Sequence, residues 1–498
     1  MMIPAPRAGW VQNASLLEPP KDAAEVMDDW FPTAAGARMR RGRQLHATIG
    51  AAVTSLMVYR GSSEKMFAAD ANNVYEITAP ADPEVAPTAD ISSLTGGDWS
   101  SINFGTSGGS FLWMCNGADS ARHYNGTTWA TPTITGVTSS NLSQVWAFGE
   151  RIFAVEKDSL SAWYLPVDSV AGLMTEFALG GVFSRGGSLL FGGTWSLDSG
   201  EGVDDLCVFV TDQGEIAVYS GTDPSSDFSR KGVYHIAPPL SKHAFFEAGG
   251  DLAIATEDGI ISVAAAVQQD RAAISRHAIT YSIEDAWRDV VTLRTGAHSF
   301  NCTIWHSQQM LVVSVPADTQ NISQAFIANV RTGAWCRFTG WDVEASAVFD
   351  DGLYFGTSSN TIYQAEVQGQ DGDDAYTCAL LPKFRPMGLS VELLTARVVY
   401  RGNVDMNPEL TGAVDFEVEQ PTAPAATSDE VDGVWGTANW GEFVWGAPST
   451  KTVKSNWQTV KGVGHEASVW VVATSGRTTA PETELISIQV VYGPGGQL

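Results

Sequence analysis

Positive charge is scarce in this chain. Its 498 residues include 29 Lys and Arg against 56 Asp and Glu, which gives a formal net charge of −27. Phosphate backbones are bound through Lys and Arg, so this composition argues against a protein that holds nucleic acid over its whole surface. The same composition is compatible with a protein along which nucleic acid moves without being bound.

Cysteine is also rare, and long apolar runs are missing. The five Cys lie far apart without a CxxC pair, which predicts buried free thiols and folding in a reducing cytosol. No run approaches the ~18 apolar residues of a membrane span, and the first residues lack the apolar core of a signal peptide. We therefore expect no stable membrane association.

Catalytic motifs are missing or out of context. Gly105–Gly109 has the GxSxG spacing of a nucleophile elbow, but an apolar strand-like run follows it where a helix is needed. We interpret it as an inter-strand loop. The eight His show no metal-ligand spacing, and Asp371, Asp373 and Asp374 lack the closing Glu of a calcium loop and are interpreted as a solvated linker. We expect no catalytic residue, no metal and no cofactor.

A β-hairpin recurs along the chain. In each copy a short apolar run meets a turn of Gly, Asn, Asp or Ser, and a second apolar run follows. The copies begin at Met66, Phe111, Arg151, Asp205, Asp251, Met310 and Gly352. A spacing of ~45 residues is typical of four-stranded propeller blades, so we predict an all-β protein with a β-propeller of about seven blades.

The repeats divide the chain into three parts. Residues 1–45, which contain Pro, acidic residues and then Arg, are predicted to form an N-terminal arm or first strand. Residues 46–375 hold the propeller, and Ile283–Leu293 is the best helix candidate within it. Longer strand-like runs in residues 376–498 predict a separate C-terminal β-sandwich of the jelly-roll type.

One dense basic cluster stands out against the acidic background. It consists of Arg38, Arg40, Arg41 and Arg43. A solvated segment, a DNA contact and a protein contact are all compatible with such a cluster. We predict contact with another protein subunit, because guanidinium groups pair well with the carboxylates of an acidic neighbour.

Trp435, Trp440 and Trp445 are each followed by Gly and repeat every five residues. An odd spacing places successive side chains on opposite faces of a strand, which argues against one flat sugar-stacking platform. We predict packing inside the C-terminal sandwich or between subunits, with a distal receptor contact as the alternative.

Three stretches together resemble structural proteins of tailed-phage virions. DDWFPT at residues 28–33, followed by Gly36 and the Arg cluster, resembles an NWFPT signature with Asp29 where Asn is usual. RTGAWCRF at 331–338 with GLYFG at 352–356 is similar to the last propeller repeats of phage tail tubular and nozzle proteins. The Trp-Gly series, WQTVKGVG at 457–464 and ELISIQVVY at 484–492 look like the C-terminal domain of the same group.

The resemblance implies a tail nozzle protein of a short-tailed bacteriophage, made in the host bacterial cytoplasm and located in the virion tail. It would form a homohexameric ring below the portal and adaptor and extend the DNA ejection channel. Its partners would be the adaptor, tail fibres or spikes, and double-stranded DNA in transit. The motifs contain no catalytic residue, so none is carried over.

A channel of this kind is expected to have an acidic wall, because negative charge repels the phosphate backbone and keeps the duplex moving. The candidate lumen residues are Asp198, Glu201, Asp204, Asp205 and Asp223.

Two other functions stay open. A propeller glycan hydrolase or lyase acting on the host envelope would need paired carboxylates in a cleft. A host-receptor-binding or sugar-binding module would need exposed, coplanar Trp side chains.

Overall fold

The computed structural model describes residues 1–13, 20–196, 205–269, 271–294, 300–315, 323–428 and 451–495. Over these ranges the chain is built mainly from short antiparallel strands, and most helical residues lie between residues 263 and 294.

Six separate sheets of three or four strands are arranged as propeller blades. Blade 1 contains Ser55–Tyr59, Lys65–Ala69 and Val74–Glu76; blade 2 contains Ser100–Thr106, Gly109–Cys115, Arg122–Tyr124 and Trp129–Ala130; blade 3 contains Leu142–Phe148, Arg151–Glu156, Ser161–Tyr164 and Thr175–Ala178. Blade 4 contains Leu189–Trp195, Leu206–Thr211, Glu215–Ser220 and Ser229–His235; blade 5 contains Phe245–Ala248, Asp251–Thr256 and Gly259–Ser262; blade 6 contains Ala345–Phe349, Gly352–Gly356, Thr361–Gln368 and Gly42–Thr48. A small parallel pair, Ile134–Thr135 with Gly172–Leu173, accompanies blade 3.

A further four-stranded unit, which we call the meander, lies between blades 5 and 6. It consists of Cys302–Trp305, Met310–Val315, Gln324–Asn329 and Trp335–Thr339. Its first strand contacts the first strands of both neighbouring blades. Unlike the six blades, it continues by hydrogen bonding into a sixteen-stranded sheet. The propeller thus has six self-contained blades, and the meander occupies the remaining place in the ring.

The ring closes inside blade 6. Its outermost strand, Gly42–Thr48, comes from the N-terminal part of the chain and pairs antiparallel with Thr361–Gln368. Gly42 is needed where this strand passes residue 370, because a Cβ at position 42 would lie 1.8 Å from the Gln370 carbonyl oxygen. This backbone pairing joins the N-terminal part of the chain to the last strands of the propeller and so closes the ring within one blade.

The large sheet, apart from the meander, combines both ends of the chain. Its N-terminal strands are Met2–Pro4, Gly9–Trp10, Ala23–Asp28, Trp30–Pro32 and Ala37–Met39; its C-terminal strands are Tyr376–Pro382, Arg385–Gly402, Glu409–Val414, Thr452–Lys454, Trp457–Thr459, Val463–Ser475 and Glu484–Pro494. The two sets interleave, since the strand at 23–28 pairs with the strand at 376–382 and the first strand pairs with the last. The jelly-roll topology and the domain boundaries stay predictions.

The predicted hairpins are the second and third strands of the six blades and of the meander. The apolar runs of the second strands are long because both of their faces are covered: every residue of Leu206–Thr211 and of Met310–Val315 is buried. The prediction of an all-β propeller is therefore confirmed. Six separate blade sheets are present where about seven blades were expected, because the remaining repeat, the meander, belongs to the large sheet.

Helical residues follow blade 5 and fill the space beside the meander. The segments are the α-helices Val263–Gln268, Arg271–Ile274 and Glu284–Arg294 and the 3₁₀ turns Ser275–His277 and Tyr281–Ile283, with one more 3₁₀ turn at Ser139–Asn141. The helix predicted at residues 283–293 is thus confirmed. Trp287 fixes it to the propeller, because its indole N–H donates to the Thr256 carbonyl at 3.0 Å.

Candidate functional site

Arg40, from the predicted basic cluster, is fully buried where the meander, blade 6 and the large sheet meet. Its Nε donates to Asp29 at 2.7 Å, and its two terminal nitrogens donate to the two carboxylate oxygens of Asp371 at 2.8 and 3.0 Å. The Tyr376 ring lies against the guanidinium, with 4.1 Å between the Arg40 Cζ and the ring centroid. Two carboxylates and an aromatic face therefore compensate one buried positive charge.

Asp29 has a backbone conformation that few residue types adopt. Its φ of 62° is left-handed, a region that Asn and Asp tolerate better than other residues with a Cβ. Its carboxylate accepts the Thr339 backbone N–H at 3.0 Å and also the Thr339 hydroxyl. Burial raises the pKa of Asp29 to about 6 although Arg40 opposes the rise, so the carboxylate is ionised at neutral pH.

Two further ion pairs flank Arg40. Arg337 of the meander donates to both oxygens of Asp28, at 2.8 and 2.6 Å. Arg38 donates to Glu366 of blade 6 at 2.5 Å. We call the whole set the arginine junction; it comprises Arg38, Arg40 and Arg337 with Asp28, Asp29, Glu366 and Asp371.

The remaining two residues of the predicted cluster also have partners within the chain. The Arg41 guanidinium lies 3.4 Å from the Glu482 carboxylate. Arg43 donates to the Gly340 carbonyl at 3.0 Å and lies over the Tyr363 ring, 4.5 Å from its centroid.

The predicted subunit contact is wrong for Arg40, because this side chain is enclosed by its own chain and has no surface to offer a partner. For Arg38, Arg41 and Arg43 it stays a prediction. The interpretation of residues 371–374 as a solvated linker is likewise wrong for Asp371, whose carboxylate is occupied by Arg40.

The centre of the propeller holds a second candidate site, a cavity of about 480 Å³ lined by first strands of the blades and by residues that precede them. Lys242 and His243, before blade 5, reach Asp98, before blade 2. The His243 Nε2 lies 2.6 Å from Asp98 Oδ1, and the Lys242 ammonium lies 3.0 Å from Oδ2. Lys242 also donates to the carbonyls of Asp98 and Ser143, at 2.7 and 3.2 Å.

This cross-cavity cluster links blades that are not neighbours. Burial alone would raise the pKa of Asp98, but the hydrogen bond from His243 and the charge of Lys242 hold it well below its usual range. Glu247 is exposed toward the same cavity, its carboxyl group has no hydrogen-bond partner among the described residues, and partial desolvation inside the ring raises its pKa. One cavity therefore contains two carboxyl groups whose pKa values are displaced in opposite directions.

Sequence reasoning missed this cluster because Asp98 and His243 lie 145 positions apart and belong to no motif. The one local signal is the cationic pair Lys242-His243 directly before the first strand of blade 5.

The other predicted site residues lie elsewhere. Asp205 directly precedes the second strand of blade 4, and the Asp223 carboxylate lies 3.4 Å from the Arg151 guanidinium. These two are not brought together with the arginine junction. The predicted residues outside the described ranges are Asp198, Glu201, Asp204, Trp435, Trp440 and Trp445.

All five Cys are buried and free, as predicted. Burial raises the pKa of the Cys115 and Cys302 thiols to about 12, which keeps them protonated and unreactive at neutral pH. Within the described ranges, no group of three His, Cys, Asp or Glu side chains could hold a metal ion. In the same part of the chain, no helix is long and apolar enough to cross a membrane. The GxSxG match lies at the hairpin turn between the first two strands of blade 2, as expected of an inter-strand loop.

The sequence matches no protein-family profile and no curated protein. Solved structures with a similar arrangement include the extracellular domain of BT4673 from B. thetaiotaomicron, with TM-score 0.43, 11% identity and 78% of this chain covered. BBS1N in complex with ARL6DN has TM-score 0.42, 8% identity and coverage of 70% of this chain and 99% of that one. The WD40 propeller domain of Doa1 has TM-score 0.41, 10% identity and coverage of 65% of this chain and 97% of that one. This chain spans only 49% of BT4673 and 40% of the related BT3049 domain, and similarities this remote carry no argument about function.

We predict that Asp29→Ala lowers the free energy of unfolding by about 3–5 kcal/mol, because it leaves a buried guanidinium short of a carboxylate and puts Ala in a left-handed conformation. Asp29→Asn should cost less, since Asn adopts the same conformation and still accepts from Thr339. Urea unfolding measures both. The exposed Asp373→Ala is the control, and a loss under about 1 kcal/mol for Asp29→Ala would contradict the role of the junction.

We predict that Asp98→Asn lowers the melting temperature at pH 7 and that its deficit shrinks in acid. The folded pKa of Asp98 is depressed, so its contribution is complete above the ordinary value of 3.8 and is lost as pH falls through the folded value. Scanning calorimetry at pH 7, 5 and 3, with Asp373→Asn as the control, measures the gap. An equal deficit at pH 3 and pH 7 would argue against an ionic contribution from Asp98.

Proposed function

We propose that this chain is a structural virion protein: the subunit of a homohexameric tail nozzle ring that extends the DNA ejection channel of a short-tailed bacteriophage. The observation that supports this most is that parts of the three phage-like stretches, residues 28–33, 331–338 and 484–492, meet in the fold although they lie far apart in sequence.

The contacts between these stretches are direct. From the first stretch, Asp28 pairs with Arg337 of the second. Thr33 of the first donates to Glu484 of the third at 2.7 Å. These described parts of the motifs are therefore connected to one another, beside the arginine junction that links the propeller to the large sheet. A rigid body of this kind suits a ring subunit that must keep its shape while DNA passes.

The charge of the chain suits the same role. Six copies would carry roughly 160 net negative charges, and an acidic wall repels the phosphate backbone of a passing duplex. Asp205 and Asp223 remain the described candidates for such a wall. In this role the protein is not an enzyme and needs no cofactor.

We predict that the purified chain, alone or with its adaptor, forms a closed ring with six times the 53.2 kDa subunit mass. Mass photometry gives the stoichiometry, and electron microscopy of the ring shows whether a through-channel exists and which side chains face it. A chain that stays monomeric in both settings, or a ring with a net-basic lumen, would refute the proposal.

A glycan hydrolase is the second candidate, and the central cavity favours it. Glu247 with a raised pKa and Asp98 with a lowered pKa have the properties of an acid and an ionised carboxylate in one glycosidase site. The engagement of Asp98 with Lys242 and His243 weighs against this reading, because it leaves Asp98 less free to attack a sugar.

The hydrolase candidate predicts that the wild-type chain releases reducing ends from bacterial envelope polysaccharides. Glu247→Gln and Asp98→Asn should abolish that release, and the exposed Glu84→Gln should not. Absence of release by the wild-type chain across capsular and lipopolysaccharide glycans would reject the candidate.

A further inference from the structure

A groove of about 450 Å³ lies beside the arginine junction, between the N-terminal strands, the meander and the large sheet. Three guanidinium groups line it, contributed by Arg38, Arg331 and Arg401. The chain carries a net charge of −27, so three arginines around one groove need an explanation. Contacts within the fold explain the position of Arg38 but not the positions of Arg331 and Arg401.

Arg38 is largely covered and belongs to the junction, where it pairs with Glu366. Arg331 is exposed in the turn after Asn329, and its guanidinium has no ion-pair partner among the described residues. The Arg401 side chain is 52% exposed, and Glu484, at 3.4 Å, is its only ion-pair partner among the described residues. The fold thus leaves two guanidinium groups able to take a further anion.

The one carboxylate that lines the groove is already occupied. Glu484 accepts the Thr33 hydroxyl at 2.7 Å and faces Arg401. Phe31 and the small side chains of Ala34 and Ala35 form an apolar floor beside these charges. A carboxylate entering here would meet guanidinium donors beside apolar side chains, and hydrogen bonds between two charged groups are stronger than those between neutral groups.

We propose that this groove binds a carboxylate-bearing loop of a second copy of this chain, with Arg331 and Arg401 as the residues that receive it. The inference rests on the proposed function, because a closed ring needs a contact between two different surfaces of neighbouring copies. Charge complementarity selects the occupant, because the groove is lined by arginines and each neighbouring copy carries a net charge of −27. Arg40 was predicted to contact a partner but is buried. In this proposal two exposed arginines, Arg331 and Arg401, make the partner contact instead.

DNA is the less favoured occupant. Its phosphates would have to approach two guanidinium groups through the field of a strongly acidic protein, whereas a protein loop brings one carboxylate into the groove and keeps its remaining charges at a distance. Binding of duplex DNA is therefore an outcome that counts against the proposal.

The test is a double charge reversal, Arg331→Glu with Arg401→Glu. The matched control is Arg230→Glu with Arg276→Glu, which changes the net charge equally at exposed positions outside the groove. Mass photometry over a dilution series should show self-association weakened by about tenfold or more in the groove variant and little changed in the control. Wild-type association should weaken with added salt. Far-UV circular dichroism and the melting temperature establish that both variants are folded.

A second measurement does not depend on ring formation. A fluorescent hexaglutamate peptide should bind the wild-type and control chains and lose most of its binding to the groove variant. Association or peptide binding unchanged in the groove variant would overturn the inference and leave the nozzle proposal standing. Duplex DNA that binds the wild type and is lost in the groove variant would also overturn it. If the wild-type chain never self-associates, both the proposed function and the binding of a second copy in the groove are refuted, even if the peptide still binds.

Discussion

Arg40 brings a positive charge into a region from which water is excluded, and the surrounding fold is organised around its neutralisation. Its compensating groups come from distant parts of the chain: Asp29 from the N-terminal strands, Asp371 from the segment after blade 6, and Tyr376 from the first C-terminal strand. A buried pair gives little net stability over apolar packing, but the loss of one partner is costly. We therefore interpret the junction chiefly as a determinant of how these segments are arranged, since all three must come together to compensate the Arg40 charge.

This constraint explains why the two ends of the chain are interleaved. The strand at residues 42–48 completes blade 6, while the strands before it join the large sheet. Arg40 and Arg41 lie on the short crossing between these two bodies, and Arg38 lies in the sheet strand just before it. Each pairs with an acid on or next to the propeller or the sheet. The basic cluster, which the sequence suggested as a partner-binding surface, thus forms ion pairs within the chain that connect the propeller and the sheet.

What the sequence could predict follows from how each strand is buried. The second strands of the blades are largely buried on both faces, so their apolar runs, with the turns that follow them, are recognisable as hairpins from Met66 to Gly352. The first strands face the central cavity and mix polar with apolar residues, as in Ser100–Thr106. The alternation of apolar and polar residues that marks a strand is therefore not recognisable in them. The Arg cluster was visible, but its partners were not: Asp371 lies 331 positions from Arg40. The cavity cluster had no sequence signal, because the ring brings Asp98 and His243 together without any shared motif.

The cavity cluster also restricts where a channel can run. The central cavity has a volume of about 480 Å³, which is of the size that holds a small molecule, and Lys242 crosses it to bond carbonyls of two other segments. A duplex cannot pass through the propeller itself without breaking these contacts. If the protein forms a DNA conduit, the lumen must lie between copies, so its wall is made of outer surfaces of the subunit. Exposed acidic residues on those surfaces would then determine how easily DNA passes. The contacts between neighbouring copies would determine the diameter of the channel.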